Sequence, residues 1–540
     1  MAILQWNAGG LRPSIAELQL LQTTLCPRVV CIQETKFAPA STIDLTGFIA
    51  HHRIHPDNQI ASGGTSIYIH KHTLHRKIDI RTPLQAVAVR VTLHRPITIC
   101  SVYIPPEYPL KISHLTNLTK QLPKPFILLG DFNAHSPLWG DKSLDDKGKV
   151  VEEFLLQNNI CLFNDGSPTF RNRATFNPSA IDLTLCTPDL RADYEWSVLD
   201  DRVDHLPITL KNTPLQNEPI PERFNFKKAD WDGFSKTCSE TLNPTFGLNY
   251  NTFLQTLLEI CQKHIPKTSP KPRKNKIWFS GECDEAIRKK KAAYRKAVDN
   301  NTLENKIQYR KARAEARRCL RESKRHSFRH LISKINHQTP INKVFKIVNK
   351  LKGKNTDTIQ HVRKLDGTTA ETPTDIANTI ATSLSQNSSK NNYNHTFQNI
   401  KANSEKQHLN FHSDNTETYN TDFSLDELQS CISDLSNTAP GPDGIHNHII
   451  KQLPKDTLTL LLNIYNDMWQ SHTFPDSWRL ATVIPIPKAG KDHTNPSNYR
   501  PIALTSCLCK LLEKMINNRL MWYLETTDSL SNLQCGFRKI

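Results

Sequence analysis

Seven short apolar runs in the first 212 residues constrain the fold of this chain more than any other feature. Each run is rich in β-branched, Leu or aromatic residues, and polar or turn-forming residues separate it from the next. Such runs predict buried strands, while 14–25 and 149–157 have helical patterns. Many strands with few helices predict an α/β (α+β) domain in which two sheets pack face to face with helices outside. The runs are 3–6, 29–32, 65–69, 87–91, 97–103, 126–129 and 181–185.

Polar side chains stand at or near the ends of these predicted strands. Asp131 and Asn133 follow the run 126–129, and residues two apart in extended backbone point the same way. Each such residue alone has an ordinary explanation, since Asp, Asn and Gly favour turns. Together, in this order, they predict that the strand ends converge on one site. The set is Asn7, Gln33, Glu34, Thr35, Tyr103, Asp131, Asn133, Asp182, Asp204 and His205.

Charge and composition narrow the class of partner. The 540-residue chain is too long for one core and carries a formal net charge of +17, which predicts a polyanionic partner, nucleic acid by default. Its 13 cysteines lack zinc-ligand spacing and are expected to be reduced thiols. No apolar stretch approaches the roughly 20 residues that span a bilayer, so we expect a soluble, non-secreted protein without a membrane partner.

The strand-end residues belong to six ordered motifs, which are Trp6-Asn7, Gln33–Lys36, Ser101–Pro106, Gly130–His135, Ser179–Leu183 and Asp204–Ile208. These motifs resemble those of the endonuclease/exonuclease/phosphatase superfamily, and most closely those of the apurinic-endonuclease-like domain of jockey-type non-LTR retrotransposons. The resemblance covers about the first 210 residues and implies a four-layer, two-sheet β-sandwich. One departure is Val203, where the family usually has Ser before the Asp-His pair.

The resemblance implies a divalent-metal phosphodiesterase, and the residue types suit that chemistry. Glu34 is the best hard-oxygen ligand for Mg²⁺, with Mn²⁺ as the alternative ion, and Asn7 and Asp204 are expected beside it. His205, with Asp182 as its partner, either takes a proton from the attacking water or binds the phosphate as imidazolium. Asp131 is the alternative acid or base. Asn133 orients metal or phosphate, and Tyr103 donates its hydroxyl to the phosphate.

A basic helical connector is predicted within residues 213–352. Helix propensity is high from Glu282 to about Lys352, and bases greatly outnumber acids in its first half. A solvated helical surface is the ordinary interpretation, but the imbalance favours phosphate binding. The candidate nucleic-acid-binding residues are Arg288, Lys289, Lys290, Lys291, Arg317 and Arg318. Residues 353–422, rich in Asn, Ser and Thr, are predicted to be a flexible polar segment.

A second set of motifs lies at 439–445, 481–488, 498–504, 510–514 and 534–538. It resembles the opening fingers motifs of non-LTR reverse transcriptases, and the resemblance covers residues 423–540. By that analogy Lys488 and Arg500 would contact an incoming nucleotide. The same sequence pattern is also typical of a surface hairpin whose basic side chains are solvated. The aspartates that two-metal polymerisation needs lie further along in family members. No Tyr-x-Asp-Asp sequence occurs here, so this chain by itself is not expected to polymerise DNA.

The sequence thus predicts the N-terminal part of a retrotransposon polyprotein. Residues 1–212 would nick duplex DNA and leave a 3′-hydroxyl that primes reverse transcription of the element RNA. Expected localisation is nuclear, with a cytoplasmic ribonucleoprotein stage. Two alternatives stay open: a repair-type abasic-site endonuclease, and a degenerate element product that binds nucleic acid without catalysis.

Overall fold

The computed structural model describes most of the chain as two compact units. The first comprises Met1–Asn217, Pro272–Thr382 and Asp492–Pro496, and the second comprises Glu218–Lys271, Ser383–Lys491 and Ser497–Ile540. Each unit is described by itself. The residues described are 2–540 without 39–40, 55–61, 173–174, 200–203, 213–222, 269–277, 337–338, 343, 346–347, 349–360, 388, 408–416, 532 and 534–540. Val203 and the motif at 534–538 therefore lie outside the described residues.

Among the described residues, the N-terminal part of the first unit has fourteen strands and three α-helices. All seven predicted runs are strands, and both predicted helices are present with slightly wider bounds. Four strands of four or more residues were not predicted, and two of them, β3 and β5, are rich in basic and imidazole side chains. The strands are β1 (Ala2–Asn7), β2 (Val29–Gln33), β3 (Phe48–Arg53), β4 (Thr65–His70), β5 (His75–Ile78), β6 (Gln85–Thr92), β7 (Pro96–Tyr103), β8 (Phe126–Asp131), β9 (Cys161–Leu162), β10 (Phe170–Arg171), β11 (Pro178–Ser179), β12 (Asp182–Cys186), β13 (Tyr194–Val198) and β14 (Ile208–Asn212); the helices are α1 (Leu11–Leu25), α2 (Ile112–Lys120) and α3 (Asp146–Asn158).

These strands build two six-stranded mixed sheets. The first has the order β13-β14-β1-β2-β4-β3 and the second β5-β6-β7-β8-β12-β9, while β10 and β11 form a separate hairpin. Only β1–β2 in the first sheet and β7–β8 in the second are parallel pairs among the strands described. In both parallel pairs the strand ends that carry predicted site residues point the same way.

Alternation along the central strands places one apolar layer between the sheets and one outside each sheet. Ile127 and Leu129 pack between the sheets, whereas Leu128 packs outward with the residues of α2 and α3. Leu4 packs outward against α1, while its neighbour Ile3 faces the other sheet. Side chains two residues apart share a face of a strand, so period-two burial on both faces requires a helix layer outside each sheet. The predicted four-layer α/β sandwich is confirmed.

Gly130, near the end of β8, is required by a close backbone approach. A Cβ added there would lie 1.8 Å from the carbonyl oxygen of Val102 on the adjacent strand. Gly130→Ala should therefore force the parallel pair β7–β8 apart and destabilise the domain by about 3 kcal/mol or more. For a domain of this size, that loss lowers the Tm by roughly 6–12 °C.

Thermal unfolding of the full chain measures this effect. Gly281→Ala is the matched control, because an added Cβ there meets nothing within 4 Å. Equal unfolding temperatures for the two variants would contradict the steric argument.

The predicted basic helical stretch contains two long helices of the first unit. α6 spans Gly281–Asp299 and α7 spans Leu303–Ser333, and the Thr302 side chain caps α7 by accepting from the Asn305 N–H. Two further helices precede them in the second unit, α4 (Trp231–Thr241) and α5 (Tyr250–His264). The break at 300–302 lets α6 and α7 pack side by side as a hairpin.

The α6–α7 hairpin packs on the sandwich within the first unit. Tyr294 and Tyr309 form an aromatic cluster with Phe176 of the loop between β10 and β11. Lys290 is buried and its Nζ lies 2.7 Å from Glu17 Oε1 on α1. An apolar cluster and a buried ion pair therefore join the connector to the domain before it.

The second unit is largely helical and has its own core. The predicted capping box at Ser424 and Glu427 is present at the start of the helix Leu425–Ser433. A β-hairpin, β17 (Thr482–Pro487) with β18 (Tyr499–Leu504), pairs Ile486 with Arg500. Besides α4 and α5, the α-helices described for this unit outside the polar segment include Asn447–Ile450, Lys455–Ser471 and Cys507–Thr526.

The polar segment 353–422 contains regular structure where it is described. It has a two-stranded pair, β15 (Val362–Arg363) with β16 (Thr369–Ala370), and helices Pro373–Asn387 and His395–Ser404. Across the described part of the chain, no helix is both long and apolar enough to cross a membrane.

Candidate active site

Most of the polar residues at the strand ends lie together at one edge of the sandwich. Asn7 ends β1 next to Gln33 at the end of β2, and Tyr103 ends β7 next to Asp131 at the end of β8. Asp182 begins the antiparallel strand β12 and stands opposite Asp131. The parallel pairs bring carboxyl-terminal ends together, and the antiparallel neighbour adds a third carboxylate from its amino-terminal end.

Asn7 connects two acidic residues of the site. Its Nδ2 donates to Asp131 Oδ2 at 2.7 Å and to Glu34 Oε1 at 3.1 Å, and its Oδ1 accepts from the Gly9 N–H at 2.9 Å. The Gly9 contact fixes the amide orientation, so nitrogen rather than oxygen faces the carboxylates. In this geometry Asn7 positions Glu34 and Asp131 and offers them no metal-binding oxygen, which differs from the role expected from the sequence.

Two site residues have left-handed backbone conformations that are uncommon outside glycine. Glu34 has φ 46° and Asn133 has φ 45°. The Asn133 N–H donates to Asp131 Oδ1 at 3.0 Å, and its Nδ2 donates to the Ile104 carbonyl at 3.0 Å. Such conformations cost free energy and persist when surrounding contacts determine them. The conformation of Glu34 turns its carboxylate toward Asn7, and the N–H of Asn133 holds the Asp131 carboxylate in one orientation.

His205 and Asp182 form a buried pair. His205 Nδ1 lies 2.9 Å from Asp182 Oδ2, and the backbone carbonyl of His205 accepts from Trp6 Nε1 at 3.0 Å. Burial lowers the pKa of His205, but the charge and hydrogen bond of Asp182 outweigh burial and raise it to about 9. Because Nδ1 faces Asp182, Nε2 remains for a water or a phosphate.

The other titratable groups respond to burial and to one another. Burial, and then the charge of Asp182, raise the pKa of Asp131 to about 7. Burial and the charges of Glu34 and Asp131 raise the pKa of the Tyr103 hydroxyl, which stays a donor. Burial also favours protonation of Glu34, but hydrogen bonds from Lys36 and Asn7 outweigh it and lower its pKa. Glu34 therefore stays charged more readily than Asp131.

The donor set fits a divalent cation. One ligand atom from each of Glu34, Asp131 and His205 lies within 4.8 Å of the others, and Asp131 is almost fully buried. Mg²⁺ takes one or two carboxylates and keeps several waters, so Glu34 and Asp131 suffice for it. Among the described residues, Asp182 Oδ1 is buried without a hydrogen-bond partner, as expected beside a site that takes up a further polar group.

The remaining predicted residues lie elsewhere. Asp204 is outside this ligand group, and its side chain lines a cavity with Tyr309 and Arg310 of α7. Lys488 and Arg500 lie on the β17–β18 hairpin of the second unit, where Lys488 Nζ donates to the Ser497 carbonyl at 3.1 Å. The analogy with a nucleotide-binding hairpin stays a prediction.

The six basic candidates of α6 and α7 have different surroundings. Lys290 is buried against Glu17 and so serves packing rather than a surface ligand. A run of four adjacent bases cannot face one side of a helix, which explains why one of them points into the interface. Three others form exposed pairs one helical turn apart, Arg288 with Asp284, Lys289 with Glu285 and Arg318 with Glu315. Lys291 and Arg317 are half-buried.

Sequence reasoning missed how polar residues hold the two sheets together at this edge, and it did not single out Gln5. Gln5 Nε2 of the first sheet donates to the carbonyls of Gly130 and Leu183 in the second, at 3.1 and 3.3 Å. Gln33, which the sequence placed among the strand-end residues, donates through Nε2 to Ser101 Oγ across the same gap at 2.8 Å. The available signal for Gln5 was an amide side chain inside the apolar run 3–6, because a buried amide needs partners.

The chain matches known proteins in two comparisons of sequence. Residues 97–209 match a family model described as Endonuclease-reverse transcriptase. A probable RNA-directed DNA polymerase from transposon BS of Drosophila melanogaster is 25% identical over 100% of this chain and 61% of its own length. The RNA-directed DNA polymerase from mobile element jockey of the same species is 24% identical over 99% of this chain and 59% of its own length. The chain thus spans about three fifths of these curated relatives.

Solved structures match the N-terminal part. The endonuclease domain of TRAS1, a telomere-specific non-LTR retrotransposon, is 24% identical, with a TM-score of 0.35, over 40% of this chain and 99% of that domain. An AP endonuclease from Archaeoglobus fulgidus is 16% identical, with a TM-score of 0.32, over 40% of this chain and 100% of its own. The predicted resemblance to jockey-type elements, with an endonuclease region followed by reverse-transcriptase homology, is confirmed by the relatives and the family model.

Proposed function

We propose that residues 1–212 form a Mg²⁺-dependent endonuclease that nicks one strand of duplex DNA, in a chain of the non-LTR retrotransposon type. One observation carries this proposal: Glu34, Asp131 and the His205–Asp182 pair meet at one edge of the sandwich. Two of the carboxylates can bind a cation that neutralises charge on the phosphoryl oxygens. The imidazole, which the third carboxylate orients, can take a proton from the attacking water. The relatives, described as RNA-directed DNA polymerases of mobile elements, supply the biological setting.

Each side chain has a chemical task in this proposal. Glu34 and Asp131 hold the divalent ion, which supplies positive charge at the phosphoryl oxygens when bound. Asn7 and Asn133 keep these carboxylates in place, and Tyr103 donates its hydroxyl to the phosphate. His205 either accepts the proton of the water at Nε2 or, as imidazolium, binds a phosphate oxygen. If Glu34 alone holds the ion, Asp131 is instead the alternative proton acceptor, since burial and the charge of Asp182 raise its pKa to about 7.

The product would be a 3′-hydroxyl end that primes reverse transcription of the element RNA. We propose that Lys488 and Arg500 contact nucleotide and that Arg288, Lys289, Lys291, Arg317 and Arg318 contact nucleic-acid phosphates. Because its proposed substrate is chromosomal DNA, we propose that the protein acts in the nucleus, after a cytoplasmic ribonucleoprotein stage. The proposed division of the chain is 1–212 endonuclease, 213–352 linker and basic helices, 353–422 polar segment and 423–540 partial reverse-transcriptase region.

Conversion of supercoiled plasmid to the nicked form tests the reaction and its metal requirement. We expect the full chain to nick with Mg²⁺ or Mn²⁺, to stop when EDTA removes the ion, and to resume when Mg²⁺ is restored. Nicking that persists in EDTA would contradict the metal site. A strong preference for a duplex with one abasic site over an intact duplex would favour a repair-type endonuclease instead.

A further inference from the structure

A cavity of about 120 Å³ lies where the α6–α7 hairpin meets the β10–β11 hairpin in the first unit. Arg171 at the end of β10 and Asp204 line one side, and Lys306, Arg310 and Arg313 of α7 line the other. None of these four bases is among the six candidates named from the sequence, although Arg310 and Arg313 belong to the same basic stretch. The cavity exists only because the basic connector packs on the sandwich.

The lining is strongly basic. Four cationic side chains face one carboxylate, that of Asp204, which leaves an excess of three positive charges. Like charges repel, so gathering them in one concave site costs free energy unless an anion binds there. Asp204 can neutralise only one of them.

Arg313 supplies a second observation. Its Nε is buried and, within the part of the chain that the structure describes, has no hydrogen-bond partner. A buried donor without a partner is costly, and guanidinium groups bind phosphate oxygens in a bidentate manner. The unsatisfied Arg313 donor and the excess of positive charge both indicate an anionic ligand with phosphate-like oxygens.

The cavity lies directly beside the proposed reaction centre. Asp204 immediately precedes His205, and its carbonyl accepts from the Arg171 N–H at 2.7 Å. Phe170, the neighbour of Arg171, pairs with His205 through the backbone, and the two rings lie 4.6 Å apart between centroids. The cavity therefore includes Arg171 and Asp204, whose immediate neighbours in the chain are Phe170, which contacts the His205 ring, and His205 itself.

We propose that this cavity binds a backbone phosphate of the DNA substrate, next to the phosphate that is cleaved. The inference rests on the proposed endonuclease function and deepens it, because it assigns part of the DNA-binding surface to the connector. The ligand is a phosphodiester of duplex DNA rather than of RNA, because the site adjoins the residues that would cleave DNA. The connector then completes the endonuclease instead of acting as a spacer.

The salt dependence of DNA binding tests this assignment without cleavage. The full chain is titrated with a short labelled DNA duplex in EDTA at several salt concentrations. The Arg310→Ala/Arg313→Ala variant should bind about tenfold more weakly at moderate salt, and the slope of log K against log salt should fall by about 1, the value for one lost phosphate contact. The single variant Arg313→Lys should keep most of the wild-type slope of log K against log salt, because lysine keeps the positive charge.

Arg329→Ala is the matched control, since it removes an exposed arginine from the same helix about 24 Å along the axis from Arg313. Circular dichroism melting shows whether each variant is folded. A double variant that is folded and binds DNA with the wild-type slope would overturn the proposal. So would a slope change of equal size in Arg329→Ala, or a loss confined to an RNA duplex of the same sequence.

The two proposals can fail separately. If the wild-type chain never nicks plasmid but the double variant loses the phosphate-dependent slope, the subsite stands and the endonuclease function fails. If the wild type nicks and the double variant matches it in slope and in nicking rate, the subsite fails and the endonuclease function stands.

Discussion

Replacing His205 with alanine is expected to reduce the rate of plasmid nicking by about 10²–10⁴-fold, the usual contribution of a positioned acid or base. His205 carries the ring whose Nε2 faces the site, because Asp182 holds Nδ1 at 2.9 Å. Nicking rates under single-turnover conditions, with DNA binding measured separately in EDTA, show whether the loss is chemical. His72→Ala, at an exposed histidine in the turn between β4 and β5, should retain the wild-type rate.

The His205–Asp182 pair also predicts the direction in which the pH dependence of nicking should shift. Asp182 raises the pKa of His205 to about 9 against the opposing effect of burial. Asp182→Asn removes that charge, so the pKa that the pH–rate profile assigns to His205 should move to lower pH. This sign holds whether the reaction needs the neutral or the protonated ring, because the substitution changes the titration itself. An unchanged profile in a folded, weakly active Asp182→Asn variant would show that His205 does not control the rate.

Glu34→Gln is expected to reduce nicking about 100-fold or more at low Mg²⁺ and to raise the Mg²⁺ concentration for half-maximal rate. Changes to residues that merely support metal ligands typically cost 10–100-fold, and Glu34 is itself a proposed ligand. Glu34 is also the carboxylate whose pKa is lowered, by Lys36 and Asn7, so it is charged and ready to bind a cation. Glutamine keeps the shape and removes the charge.

A Mg²⁺ titration of the nicking rate separates this effect from general damage. The control is Glu153→Gln on α3, an exposed carboxylate that accepts from Gln157 and lies on the helical surface. Saturating Mg²⁺ should restore part of the Glu34→Gln rate, because weaker binding can be overcome by mass action. A variant whose activity is lost equally at all Mg²⁺ concentrations, with wild-type half-saturation, would argue against Glu34 as a ligand.

Much of the sandwich was predictable because its signals are local. The run 126–129 and the glycine after it predicted both strand β8 and the exit of Asp131 and Asn133 from the sheet. The Gly130 requirement itself was not predictable, since it depends on the Val102 carbonyl of a strand that lies 28 residues earlier in the chain. The β5 strand, His75–Ile78, was missed because its pattern is short and polar.

The candidate site was predictable as a set of residues but not as an arrangement. The order of the motifs in the sequence was enough to assign Glu34, Asp131, Asp182 and His205 to one site. Its geometry then changed the interpretation of two expected ligands: Asn7 turns its amide nitrogen toward the carboxylates, and Asp204 faces α7. Amide orientation follows from the Gly9 contact, and the direction of Asp204 follows from packing of the connector, neither of which has a sequence signature.

The sequence by itself determined the residue types, the strand and helix periods, and the end of each strand where catalytic groups emerge. These properties depend on side-chain chemistry and on neighbours a few positions away. Tertiary structure alone decided the register that sets Asp131 opposite Asp182, the Gln5 and Gln33 bridges between sheets, and the burial of Lys290 against Glu17. Those contacts join segments far apart in the chain, and their free energy depends on burial and partners that exist only once the sheets and helices have packed.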